Sequence, residues 1–247
     1  MNNFNNNVPS NAYNNSHNSA GYEATGGTIY PMVKVLLILP LLIAGLLLSG
    51  CESTYYSAME GIGFHKRDIL VDRIEDAQQA QQEGQEQFKN ALEQFKSVVN
   101  FEGGDLEKTY KRLNDEYDKS VDAANAISDR IERVDSVAKA LFKEWRAELD
   151  QYTNTNLRRD SERQLQETQR RYKILLAAMH KAEKSIDPVL DTLRDNTLYL
   201  KHNLNARAIS SLKGELGNVN NNVNILVKAM EQAIQESDNF IKQFKQP

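Results

Sequence analysis

The sequence predicts an all-α fold, an elongated antiparallel four-helix coiled-coil bundle with up-down-up-down connectivity. Three observations point to it. From Cys51 onward the chain holds only two prolines, Pro188 and Pro247, and seven glycines, so little interrupts long helices. Apolar residues recur at alternating steps of three and four over several heptads, the period of a coiled coil. No stretch alternates by two, as a half-buried strand would.

The elements follow in order. The first series runs Ile74, Ala77, Gln81, Gly84, Phe88, Ala91, Phe95, Val98 and stops at Asn100-Phe101-Glu102-Gly103-Gly104. Asp105 is placed to cap a second helix, whose series runs from Leu106, Tyr110 and Leu113 to Ala138, Leu141 and Trp145. Thr153-Asn154-Thr155-Asn156 separates it from a third series, Leu165, Thr168, Tyr172, Leu175, Met179, Ala182, Ile186, Val189, Leu193, Thr197, Leu200. After His202-Asn203-Leu204-Asn205 a fourth runs from Ile209, Leu212 and Leu216 to Ser237, Phe240 and Phe244. The predicted helices are 54–101, 105–152, 156–202 and 206–245. At 1.5 Å per residue each is about 60–70 Å long, and matched lengths with short connections make neighbours antiparallel. Surface pairs at i,i+4 fit solvated faces: Glu107/Lys111, Asp115/Lys119, Asp129/Arg133, Asp135/Lys139 and Glu167/Arg171.

Ahead of the bundle the composition changes. Residues 1–31 are rich in Asn, Ser, Gly and Tyr with Glu23 as their one charge, and the expectation is disorder. Residues 32–50 read as a signal peptide: Lys34 precedes an uncharged apolar run of about 14 residues, short of the ~20 needed to cross a bilayer. Leu48-Ser49-Gly50-Cys51 resembles the lipobox of bacterial lipoproteins, in which the cysteine thiol is acylated and becomes the new N-terminus. A start at Met32 would give such a signal its ordinary length, so a misassigned start is the favoured account of residues 1–31. In the Gram-negative sorting pattern that this box resembles, Asp directly after the cysteine favours inner-membrane retention. Glu52 stands there instead, so the resemblance implies the outer membrane, with the body in the periplasm. Residues 51–68 form the lipidated, membrane-proximal segment and 69–247 the bundle. Tyr55, Tyr56, Phe64, Lys66 and Arg67 are candidates for contact with lipid headgroups, a flexible tether or first helical turn being the alternative.

Composition excludes several function classes. One cysteine rules out an internal disulfide framework and multi-cysteine metal sites, and a net charge of −4 gives no case for nucleic-acid binding. The four histidines form no HxxxH pair, no Ser/His/Asp set is evident, and isolated carboxylates on polar faces do not make a dyad. No catalytic residue, metal or cofactor is assigned, and an enzyme is not expected. Tyr110, Tyr117, Trp145 and Tyr172 fall in core register and read as packing residues.

Charge sorts by helix, with 5 basic and 8 acidic residues in the first, 9 and 12 in the second, 10 and 7 in the third, 5 and 4 in the fourth. The basic third helix is either a lipid or polyanion surface, or the neighbour of an acidic helix that sets pairing within the bundle. Counting back from each loop puts Gln81/Gly84, Ser120/Ala124, Ala182 to Pro188 and Asn220 to Asn224 at one height. Gly84 and Pro188 are therefore hinge candidates, against a thin layer that fixes register; Asp187 could cap a helix restarted at Pro188. Topology brings the Gly103-Gly104 and Asn203–Asn205 turns together at the end away from the anchor, where Phe101, Glu102, His202 and Asn203 are candidate partner contacts.

Cys51–Tyr56, Gly61–Arg67, Asp187-Pro188-Val189-Leu190 and Leu198–Asn205 together resemble a proteobacterial lipoprotein family described only as domain of unknown function 2959. The resemblance implies a periplasmic helical lipoprotein and supplies no catalytic residue. The expected function is a lipid-anchored structural or adaptor protein of the cell envelope, touching the membrane through its anchor and a protein partner elsewhere. The alternative is a membrane-surface module that senses or shapes the bilayer through its basic third helix. Neither the partner nor the oligomeric state is encoded in these patterns.

Overall fold

The computed structural model describes residues 65–245, all within the unit Cys51–Pro247. The expectations for residues 1–31, the signal segment, Leu48, Ser49, Gly50, Cys51, Tyr55, Tyr56 and Phe64 lie outside the described residues. The described region is all-α: α1 (Lys66–Val99), α2 (Leu106–Leu149), α3 (Thr155–Lys184), α4 (Asp187–His202) and α5 (Ala206–Phe244). These are four long helices, the third delivered in two segments.

The turns obey the capping chemistry of their sequences. Asp105 accepts the amide of Lys108 at the start of α2, as its position predicted. Asn154 accepts the amides of Asn156 and Leu157, and Asn205 that of Ala208. Gly103 and Gly104 carry φ of 154° and 111°, and at Gly104 a side chain would be strained.

At Pro188 the ring removes an amide donor, and the helix breaks over Ser185-Ile186. Asp187 does not cap the restart. Ile186 is the N-cap, it keeps α-helical dihedrals, and its carbonyl takes the amides of Val189 and Leu190. The chain therefore passes the break without turning back, and the predicted single helix 156–202 becomes two segments in sequence.

Helix α1 packs on α2 and α5, and α5 also covers α3 and α4, which in turn meet α2. The predicted apolar series is the core: every α1 position from Ile74 to Val98 is buried, as are all α5 positions except the half-buried Leu216. On α2 the seam drifts. Leu106, Tyr110 and Tyr117 are half-buried at its start, as are Leu141 and Trp145 at its end, where Val137, Phe142 and Leu149 lie inside. A strict 3,4 series lags behind a helix of 3.6 residues per turn, so the buried stripe has moved by one position at its far end.

Bonds between helices run in opposite numerical directions. Along α1 and α2 the pairs are Lys66 with Glu144, Asp76 with Arg130 and Gln87 with Glu116. Along α1 and α5, Gln78 meets Asp238 and Gln85 meets Glu231. The sequence-predicted surface pairs Glu107/Lys111, Asp135/Lys139 and Glu167/Arg171 are made, whereas Lys119 takes Glu116 in place of Asp115.

Axial alignment differs from counting back along the loops. Gly84 faces Ile127 and Met230, and Ser120 lies by Gln87. Pro188 lies against Asn222, whose amide donates to the Pro188 carbonyl and the Thr192 hydroxyl. Asn222 precedes Met230 by eight residues, about 12 Å along a helix, so Gly84 and Pro188 occupy separate layers. The single weak layer expected at mid-bundle is thus resolved into two.

Candidate functional site

Three regions hold side chains with something to bind. The first is the end of the bundle where α1 starts and α5 stops. An aromatic row crosses it: Phe142 and Tyr172 meet edge-on at 5.4 Å, Tyr172 and Phe240 at 6.4 Å, and Phe240 stacks on Phe244 at 5.1 Å. Arg67 closes the row, its guanidinium 4.7 Å from the Phe244 ring centroid while it donates to the Phe244 carbonyl. The Tyr172 hydroxyl donates to Asp135 at 3.0 Å. Burial pushes that phenol far above the ordinary tyrosine range, and the Asp135 charge and hydrogen bond add to the shift. Tyr172 is a packing residue, as its register suggested.

This arrangement uses the basic residues that sequence placed at lipid headgroups. Lys66 is only 7% exposed and its ammonium pairs with Glu144 at 3.1 Å. Arg67 holds the end of α5. Lys66 is turned into the bundle, where a buried cation needs a partner, whereas Arg67 stays exposed and lies over the end of α5.

The second region is the opposite end. The 101–106 turn and the first turns of α5 enclose a cleft of about 380 Å³ lined by Phe101, Glu102, Leu106, Ile209 and Lys213 among others. Of the two turns that topology predicted to be neighbours, the 101–106 turn meets the residues that directly follow the other, from Ala206 on. Only Phe101 and Glu102 of the four candidate contacts line the cleft. Asn203 spends its side-chain amide on the Tyr199 carbonyl, and His202 is exposed beside it. Leu106, Ile209 and Lys213 were missed, since the heptad series marks them only as core or polar surface.

The third region lies along α3 and α5. Arginines on α3 pair within their own helix: Arg163 with Asp160, and Arg170 and Arg171 both with Glu167. Arg158 alone reaches an acid of another element, Asp150. The helix does lie beside the acidic α2, with Arg158–Asp150 as the ion pair that links the two. Ile174, 48% exposed, sits between these charges next to the buried Leu175. An isoleucine one position off the apolar stripe was the sequence signal for this surface.

Of the hinge candidates, Gly84 has a packing reason. A Cβ there would come within 2.6 Å of Ile127 Cδ1, so the glycine permits close approach of α1 and α2. One turn earlier, Gln81 is fully buried and neither amide atom has a hydrogen-bond partner. Among the described residues no cluster of three His, Cys, Asp or Glu could hold a metal ion, and no helix is long and apolar enough to cross a membrane.

None of the curated proteins matches the chain. A family model described as "Protein of unknown function (DUF2959)" matches residues 55–244, a span that takes in every described helix. The chain therefore belongs to this family of proteins of unknown function.

Proposed function

We propose that this protein is a lipid-anchored, non-catalytic adaptor of the cell envelope, held through Cys51 at the periplasmic face of the outer membrane. Its body is an antiparallel up-down-up-down coiled-coil bundle that carries a partner-binding cleft away from the anchor. The observation that carries this reading is the meeting of the 101–106 turn with the start of α5 around Phe101 and Glu102. Numbering that runs in opposite directions across each helix pair supports the antiparallel arrangement. With α2 alone about 66 Å long on helix rise, a cleft at one end stands far from a tether at the other.

Two measurements in cells test it. Metabolic labelling with an alkyne fatty acid, followed by density fractionation, should find the label on wild type in the outer-membrane fraction and none on Cys51→Ala. Photocrosslinking from position 101 should capture a protein. Labelling that survives Cys51→Ala, or an unlabelled wild type, overturns the anchor, and absence of a protein adduct at 101 overturns the adaptor cleft.

A second reading, contact with anionic lipid through the basic third helix, is favoured by the excess of eight Lys and Arg over four Asp and Glu along α3. It predicts that full-length Cys51→Ala binds anionic vesicles and releases them as salt rises.

A further inference from the structure

We infer that the groove between α3 and α5 is a docking site for an acidic amphipathic helix of another protein. The inference rests on the adaptor reading above and assigns it a second surface.

The groove consists of three adjoining depressions. The one nearest the end of α5 is a cleft of about 740 Å³ between Arg67, Trp145, Arg163 and Phe244. It shares Glu167 and Arg171 with the next, which in turn shares Ile174 and Glu236 with a third reaching Lys181 and Gln232. From Arg163 to Lys181 the α3 wall is about 27 Å long, room for a helix of about 18 residues. The apolar part of its floor is formed by the exposed Ile174 and Ala177 over the buried Ala178 and Phe240. A helix laid along such a floor buries one stripe of its own side chains, the geometry of helix-in-groove recognition.

Charge selects the occupant. Helix α3 carries eight Lys and Arg against four Asp and Glu. Along the groove itself stand Arg163, Arg170, Arg171, Lys173 and Lys181, with Glu167 and Glu236 as the opposing acids. Two of those arginines share Glu167, which leaves positive charge uncompensated at the rim. A helix flanked by Asp and Glu would complete these pairs, whereas a basic one would be repelled.

Two other occupants fit less well. A second copy offering its own α3 would bring two basic surfaces together. Offering α1 or α2, it would bring acid but nothing to fill the floor, since those helices carry no exposed large apolar side chain among the described residues. Offering α4, it would bring the exposed Leu198 and Tyr199 on a helix whose three Asp are offset by Arg194 and Lys201. A bilayer presents a flat surface to a concave groove whose floor includes the buried Ala178 and Phe240.

The experiment uses the full-length protein in its own cell, with p-benzoylphenylalanine in place of Ala177 and, as control, in place of Glu83 on the acidic side. Irradiation and peptide mass spectrometry should give an adduct at 177 but not 83. Its other half should be a peptide of a different protein with helical apolar periodicity and acidic flanks. Combining Arg170→Glu with Lys173→Glu should lower the yield at least tenfold, and Ile174→Glu should do the same. All three positions are solvent-facing; should Ile174→Glu lose its helical dichroism, Lys181→Glu replaces it. An adduct with lipid, with a second copy or with a segment lacking acidic helical character overturns the inference. So does no adduct above the control, or a yield unmoved by charge reversal. Because position 101 tests the distal cleft independently, capture there with none at 177 sinks the groove and leaves the adaptor reading standing.

Discussion

The contact between Gly84 and Ile127 permits a double-mutant cycle with a defined sign. In Gly84→Ala the new methyl carbon would sit 2.6 Å from Ile127 Cδ1, roughly 1 Å inside the usual 3.5–4.0 Å carbon separation. Ile127 is fully buried, so its terminal methyl has little room to move aside. Overpacking of this kind costs about 1–3 kcal/mol, and the better helix propensity of Ala offsets about 1 kcal/mol of it. The expected net loss is about 1 kcal/mol. Ile127→Val alone removes Cδ1 and leaves a small void, for a loss of about 0.5–1.5 kcal/mol. Together the two changes exchange one methyl for another at the same spot. The Ala methyl fills the space that Cδ1 vacated, while Met230 Cε at 3.7 Å is an ordinary contact. The double variant should match wild type to within about 0.5 kcal/mol, or exceed it, with a coupling energy of about 1–2 kcal/mol. Urea denaturation of the four proteins followed by circular dichroism measures this. Losses that simply add, or a Gly84→Ala protein more stable than wild type, would refute close packing as the reason for the glycine and reopen its role as a hinge.

Other outcomes follow from single positions. Gln81→Leu should raise stability by about 1–3 kcal/mol, visible as a melting temperature several degrees higher, because it removes a buried unpartnered amide; a lower melting temperature contradicts this. Asp105→Ala should cost about 0.5–2 kcal/mol by stripping the N-cap of α2, and Asp105→Asn should keep most of it, by chemical denaturation. Tyr172→Phe tests the pH dependence. The folded phenol titrates above its unfolded value, so its contribution is complete below about pH 10 and disappears as pH rises beyond that. A gap of about 1 kcal/mol between wild type and variant at neutral pH should narrow above pH 10, and a constant gap in paired urea titrations would contradict the assignment.

Helix identity and buried face were legible in the chain itself. Length was not, since the first helix starts at Lys66 behind an extended His65 and the third is split in two, where 54–101 and 156–202 were expected. Steps of three and four mark one stripe on a helix, and that stripe is the core from Ile74 to Val98 and from Ile209 to Phe244. Asp105 as a cap and Gly103-Gly104 as a turn are local chemistry, settled within a few residues. Even the break at Pro188 follows from one missing amide, although the cap there turned out to be Ile186 and not Asp187.

The tertiary structure decided everything that depends on which neighbour a face meets. A period names the buried stripe but carries no axial coordinate, so Gly84 and Pro188 seemed level in sequence and lie about two turns apart in the bundle. Net charge per helix likewise says nothing of lateral partners. The basic α3 does lie beside the acidic α2, yet most of its paired arginines find their acid within α3 itself. Lys66, a candidate for headgroup contact by sequence, is buried against Glu144 because its position faces α2, while its neighbours Arg67 and Asp68 stay exposed. The apolar period gave the described residues their helices; the packing of those helices decided where charge and apolar surface remain available to a partner.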